Sequence, residues 1–137
     1  DTTEALVWLK QHFRLVILSN VDRRSFSATN QQLGVTFDAI CTAEDIGSYK
    51  PDKRNFDYLL KTVEGLGYKR TELLHVAQSL FHDIEPAARL GIHRCWINRR
   101  GDRGTGSGAT KAVDRMPALD FQFSSLGALA EAVRREH

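Results

Sequence analysis

Leu15-Val16-Ile17-Leu18-Ser19-Asn20 is an apolar run that stops at a hydroxyl and an amide. A short, wholly aliphatic and β-branched segment reads as a parallel strand buried on both faces. Ser19 and Asn20 then stand at its carboxyl end, where open α/β sheets hold their ligands. Further on comes the turn Gly47-Ser48-Tyr49-Lys50-Pro51. A hydroxyl, an amide and an ammonium group brought together would suit an oxyanion.

Outward from that strand the pattern alternates. Ala5, Leu6, Leu9 and Phe13 recur at helical spacing over Thr3–His12, so a helix precedes the strand. Asp22 to Leu33 reads as the next helix, ended by Gly34, and Phe37–Cys41 as a second strand. Asp52 caps a helix with Phe56, Leu59, Leu60 and Val63 on its apolar face, stopping near Gly65. Leu73–Ala77 is a strand, Asp83–Leu90 a short helix stopped by Gly91, and His93–Asn98 another strand. Phe121–Phe123 and Leu126–Val133 close the chain as an edge strand and a helix. Such alternation predicts an α/β fold, a Rossmann-like parallel sheet flanked by helices and wound by right-handed crossovers.

With 137 residues, 42% of them hydrophobic, the chain suits one core and is read as a single domain, 1–137. Arg99–Met116 interrupts it with Gly101, Gly104, Gly106 and Gly108 among polar residues, which reads as a mobile loop. Gly108-Ala109-Thr110-Lys111 lacks the Lys-Ser/Thr ending of a phosphate-binding P-loop. A formal charge of +2 with scattered basic residues is no nucleic-acid footprint. No apolar stretch approaches the roughly 20 residues of a membrane span. Cys41 and Cys95, in apolar segments and without metal-ligand spacing, are expected to be reduced and buried, and a cytoplasmic location follows. His75, His82 and His93 form no ligand spacing either and are read as structural or supporting groups.

Three segments would reach the same sheet edge: Ser19-Asn20, Lys50, and Gln78-Ser79-Leu80-Phe81-His82-Asp83. In that order they resemble the second, third and fourth motifs of the haloacid dehalogenase superfamily of hydrolases. Ala87, Ala88 and Gly91 continue the last motif as that family does. The resemblance implies a catalytic set of Ser19, Asn20, Lys50 and Asp83, with Ser19 and Asn20 also binding substrate and Gln78, Ser79 and His82 in support. It further implies a small anionic organic substrate. Ser19, Asn20 and Lys50 would stabilise charge that builds as an aspartate attacks a carbon–halogen or phosphoryl centre.

Two departures shape the expectation. The family's nucleophilic Asp ends a first strand, and no such segment exists here: Asp1 has no strand ahead of it, and Asp38 and Asp120 stand at strand beginnings. The sheet is therefore expected to be incomplete at its first strand, with Leu15–Leu18 and Leu73–Ala77 not directly paired. A homo-oligomer or a complementing amino-terminal segment would be the partner. Gln78 stands where metal-dependent members carry an Asp, and an amide holds magnesium weakly. The first reading is thus a metal-free 2-haloacid dehalogenase working through an aspartyl ester, in the wording of its last motif most like type II haloacid dehalogenase-like proteins. The alternatives are a magnesium-dependent phosphatase, in which Asp83 would ligate the metal, and a non-catalytic fragment or binding module.

Overall fold

The computed structural model describes residues 2–99 and 117–136. The stretch read as a mobile loop lies outside the described residues, apart from Arg99. Helix α1 (Thr2–His12) leads into strand β1 (Val16–Ser19), α2 (Arg23–Leu33), β2 (Ala39–Thr42) and a short α3 (Ala43–Ile46). Then follow α4 (Lys53–Gly65), β3 (Leu74–Ala77), α5 (Glu85–Arg89), β4 (His93–Ile97), β5 (Phe121–Phe123) and α6 (Leu126–Glu136).

All strand pairs among the described residues are parallel, in two separate sheets. β1 pairs β2 from Val16 opposite Ala39 to Ser19 opposite Thr42. β3 pairs β4 from Leu74 opposite His93 to Ala77 opposite Trp96, and β4 pairs β5 at Cys95 and Phe121. No ladder joins β1 to β3 among the described residues, in keeping with the expectation from the sequence. Each therefore keeps one edge whose backbone groups have no strand partner here.

Helix α4 ties the two ladders together. Its buried Phe56, Leu59 and Val63 pack with Ala87 and Ile92, and the same cluster takes in Val16 and Leu18 of β1 and Leu73, just before β3. Phe56 is wholly buried, and withdrawing such a side chain from water is worth about 1.5–3 kcal/mol. Asp52 starts this helix by accepting from the Arg54 N–H at 2.9 Å. On the other ladder, Cys95 and Ile97 pack with Leu129 of α6, while Trp96 packs with Leu80 and Ile84. Both cysteines are free and buried, and burial pushes the Cys95 thiol up to about 11.

Two elements differ from their reading in sequence. The second strand starts at Ala39 rather than Phe37, because Asp38 is used as a latch. Its carboxylate accepts the Leu15 N–H at 2.7 Å and meets Lys10 Nζ at 2.7 Å, while Val35 and Phe37 are buried ahead of the strand. The helix expected from Asp83 begins earlier, as a π-helical turn over Leu80–Ile84 that runs into α5. Ser79 caps it by accepting the His82 N–H at 3.1 Å, so Asp83 lies inside the turn rather than at its cap.

Ile92, fully buried in the α4 cluster beside the entry to β4, provides a check on this packing. Ile92→Val is expected to lower unfolding free energy by about 0.5–1.5 kcal/mol in urea titration. A loss near zero would mean that this cluster does not carry the core.

Candidate active site

Lys50 is fixed before its charge is used. The Asn20 amide grips its peptide from both sides: Oδ1 accepts the Lys50 N–H at 2.7 Å, and Nδ2 donates to the Lys50 carbonyl at 3.2 Å. Asn55, wholly buried in the first turn of α4, donates to the Ser48 carbonyl at 2.8 Å and anchors the other end of the turn. The Lys50–Pro51 peptide is cis. Asn20 thus spends its side chain on the turn, and its contribution to the site is to place Lys50.

From that turn the Lys50 side chain runs inward, 11% exposed. Its Nζ donates to the Leu18 carbonyl at 3.1 Å and to Asp83 Oδ1 at 2.7 Å. The ammonium therefore bridges the end of β1 and the turn after β3. Ser19, next to Leu18, is half-buried, and its Oγ accepts the Val21 N–H at 3.3 Å. That leaves the hydroxyl proton without a protein acceptor among the described residues.

Asp83 has a second donor. Nε2 of His75, on β3, lies 2.9 Å from the same Oδ1, and the His75 ring stands edge-on to Phe56 with centroids 5.5 Å apart. Burial, the largest single influence on the carboxyl, pushes its pKa up. The hydrogen bond from His75 and the nearby charge of Lys50 outweigh it, so Asp83 is held below the ordinary carboxylate value. Sequence reading placed His75 only as a supporting histidine. A lone imidazole inside the otherwise aliphatic Leu73-Leu74-His75-Val76-Ala77 was the available signal.

Gln78, Ser79 and His82 shape the turn itself. Trp96 Nε1 donates to the Gln78 carbonyl at 2.9 Å, and the Ser79 hydroxyl lies 2.9 Å from His82 Nδ1. Among the described residues no hydrogen bond or ion pair joins these three side chains to Lys50 or Asp83. An open depression of about 400 Å³ adjoins Asn20 and Tyr49, but its walls include Asp22 and Glu44 and neither Lys50 nor Asp83. Glu44 there is paired with Arg23 at 3.1 Å.

The charge on Asp83 can be checked by its pH signature. A carboxylate with a lowered folded-state pKa adds stability above its unfolded value, and that stability is lost as pH falls through the folded value. Asp83→Asn leaves the buried Lys50 charge uncompensated and is expected to cost on the order of 3–5 kcal/mol at pH 7. In urea titrations the gap between wild type and variant should narrow as pH drops below the ordinary carboxylate value of 3.8. The other carboxylates are common to both proteins and cancel, so a constant gap from pH 7 to acid would contradict a lowered Asp83 pKa.

The chain is similar in sequence and fold to proteins already known. The chain is 30% identical over 120 residues to an (S)-2-haloacid dehalogenase of Pseudomonas putida, covering 85% of this chain and 48% of that one. Among solved structures, a HAD phosphatase from Thermococcus onnurineus superposes with a TM-score of 0.72 at 29% identity, over 97% of this chain and 56% of that one. An L-2-haloacid dehalogenase from Xanthobacter autotrophicus gives 0.76 at 23% identity, over 96% and 58%, a likeness of fold. The chain spans about half the length of the curated relatives it matches. The family model for haloacid dehalogenase-like hydrolases matches residues 1–97, from α1 through β4 and every group just placed around Lys50, and the chain belongs to that family.

Proposed function

We propose that the protein to which these 137 residues belong hydrolyses small 2-haloacids, through an aspartyl ester whose nucleophile lies in sequence outside them. The observation that carries this reading is the Lys50 ammonium bridging the carboxyl end of β1, where Ser19 stands, and the turn after β3, with two donor contacts made. Identity of about a third to three (S)-2-haloacid dehalogenases favours that substrate class.

In the first step a carboxylate oxygen attacks the carbon bearing the halogen. The carbon–halogen bond breaks, and the halide leaves with its electron pair. Water then adds to the ester carbonyl carbon, releasing the hydroxy acid and restoring the carboxylate. Lys50 offsets the charge of the 2-haloacid carboxylate and the nucleophile drawn together, and Ser19 donates a hydrogen bond to the same charge. Asp83 keeps Lys50 in place and ionised.

The described residues alone do not suit magnesium. They offer no cluster of three or more carboxylate, His or Cys ligands, Asp83 Oδ1 already receives two donors, and Gln78 brings an amide. Magnesium is held by one or two carboxylates together with waters and substrate oxygens, and the Asp83 oxygen shared by Lys50 and His75 is a poor first one, so no step is routed through the metal.

The test is halide release from (S)-2-chloropropionate by the protein carrying its upstream sequence, in excess EDTA. Release is expected to persist. Loss restored by magnesium, with phosphate-ester turnover, would replace this reading by the phosphatase one, and no turnover of either substrate would leave a non-catalytic protein. Ser19→Ala and Lys50→Met are each expected to lower kcat on the order of 10²–10³, as loss of one such donor does elsewhere. Near-wild-type kcat in both would put the site somewhere else.

A further inference from the structure

His75 is the one polar side chain on β3, and only 9% of it is exposed. An imidazole buried among aliphatic neighbours costs free energy unless its nitrogens are satisfied. Here Nε2 faces Asp83 Oδ1 at 2.9 Å, the oxygen that Lys50 Nζ reaches at 2.7 Å. Two donors on one carboxylate oxygen divide its charge, and hydrogen bonds to an ionised acceptor are the strong ones. The ring is also held in place from behind, edge-on to the wholly buried Phe56.

Lys50 has three N–H donors. One goes to Leu18 O and one to Asp83, and the third has no protein acceptor among the described residues. Were the His75 bond absent, the buried carboxylate would have Lys50 as its one charged partner and would draw the ammonium more fully onto itself. We propose that His75 is a positioning residue for Lys50: by sharing Asp83 Oδ1 it limits the carboxylate's hold on the ammonium and leaves the third N–H for an anion at the strand ends. This rests on the reading of Lys50 as the anion-binding group and adds the residue that keeps it available.

The experiment reads Lys50 directly. The protein carrying its upstream sequence is treated with acetic anhydride, and acylation is followed lysine by lysine by peptide mass. Lys10, which pairs with Asp38 at 2.7 Å, serves as the internal control. His75→Leu, which cannot donate, is expected to slow Lys50 acylation on the order of tenfold, the effect of a one-unit rise in an amine's pKa, and to leave Lys10 unchanged. His75→Gln, whose amide N–H can reach the same oxygen, should return Lys50 to the wild-type rate. In the wild type, the His75 Nε2–H should give a downfield proton resonance that disappears in Asp83→Asn. An unchanged Lys50 rate in His75→Leu, an equal change at Lys10, or failure of His75→Gln to restore the rate would overturn the proposal. Should His75→Leu not fold, the wild-type resonance and the His75→Gln rate decide it, absence of the first or a slowed second counting against. Neither readout needs turnover, so a protein that releases no halide yet shows this Lys50 response would overturn the dehalogenase reading alone.

Discussion

One ammonium group holds together parts of the molecule that share no strand ladder. Lys50 Nζ bonds the last apolar carbonyl of β1, at Leu18, and the carboxylate of Asp83, in the turn that follows β3. β1 and β3 do not pair with each other among the described residues, so this polar bridge and the apolar back of α4 are what relate their carboxyl ends. The two differ in kind. Packing on Phe56 and Leu59 is non-directional and fixes distance, whereas the Lys50 bridge fixes which atoms face which.

Burying the Lys50–Asp83 pair has a cost that a hydrophobic pair of the same size would avoid. The structure offsets it with neighbours that each do one task. Asn20 and Asn55 hold the backbone from which Lys50 extends, so the side chain loses little further freedom on pairing. His75 takes part of the carboxylate charge. Ser19, at the same strand end, uses its oxygen for its local turn, and its proton has no protein acceptor among the described residues. Stability does not by itself account for a buried Lys50–Asp83 pair; on the proposed reading, a site that meets negative charge does.

What was legible in the sequence follows from how local each signal is. The Leu15–Leu18 strand, the Lys50 turn and the Asp52-capped helix are written in short windows, and they stand where those windows put them. The start of the second strand was not, because Asp38 is taken up by Leu15 and Lys10, groups far away in the chain. The π-helical turn at Leu80–Ile84 has no periodicity of its own in five residues, and the Asp83 it carries looks in sequence like an ordinary cap. His75 was visible as an oddity without a partner. Its partner is eight residues on, across a strand end and a turn, where no spacing rule operates. Even the missing ladder between β1 and β3 was readable, since no run of the chain ends in an aspartate at the close of a strand.

Within this family the chain is similar to dehalogenases and to a phosphatase at comparable identity, so the lean of the curated relatives toward dehalogenases does not by itself settle the chemistry. The choice lies in what surrounds Asp83. A carboxylate that is to hold a divalent cation needs its oxygens turned toward the cation and other carboxylates close by. One whose oxygen already accepts from a lysine and a histidine manages a fixed positive charge instead. Lys50 supplies that charge from the chain itself, on a turn held by two asparagines. On the proposed reading, the arrangement that leaves Asp83 Oδ1 little room for a cation is the one that seats an organic anion against Lys50.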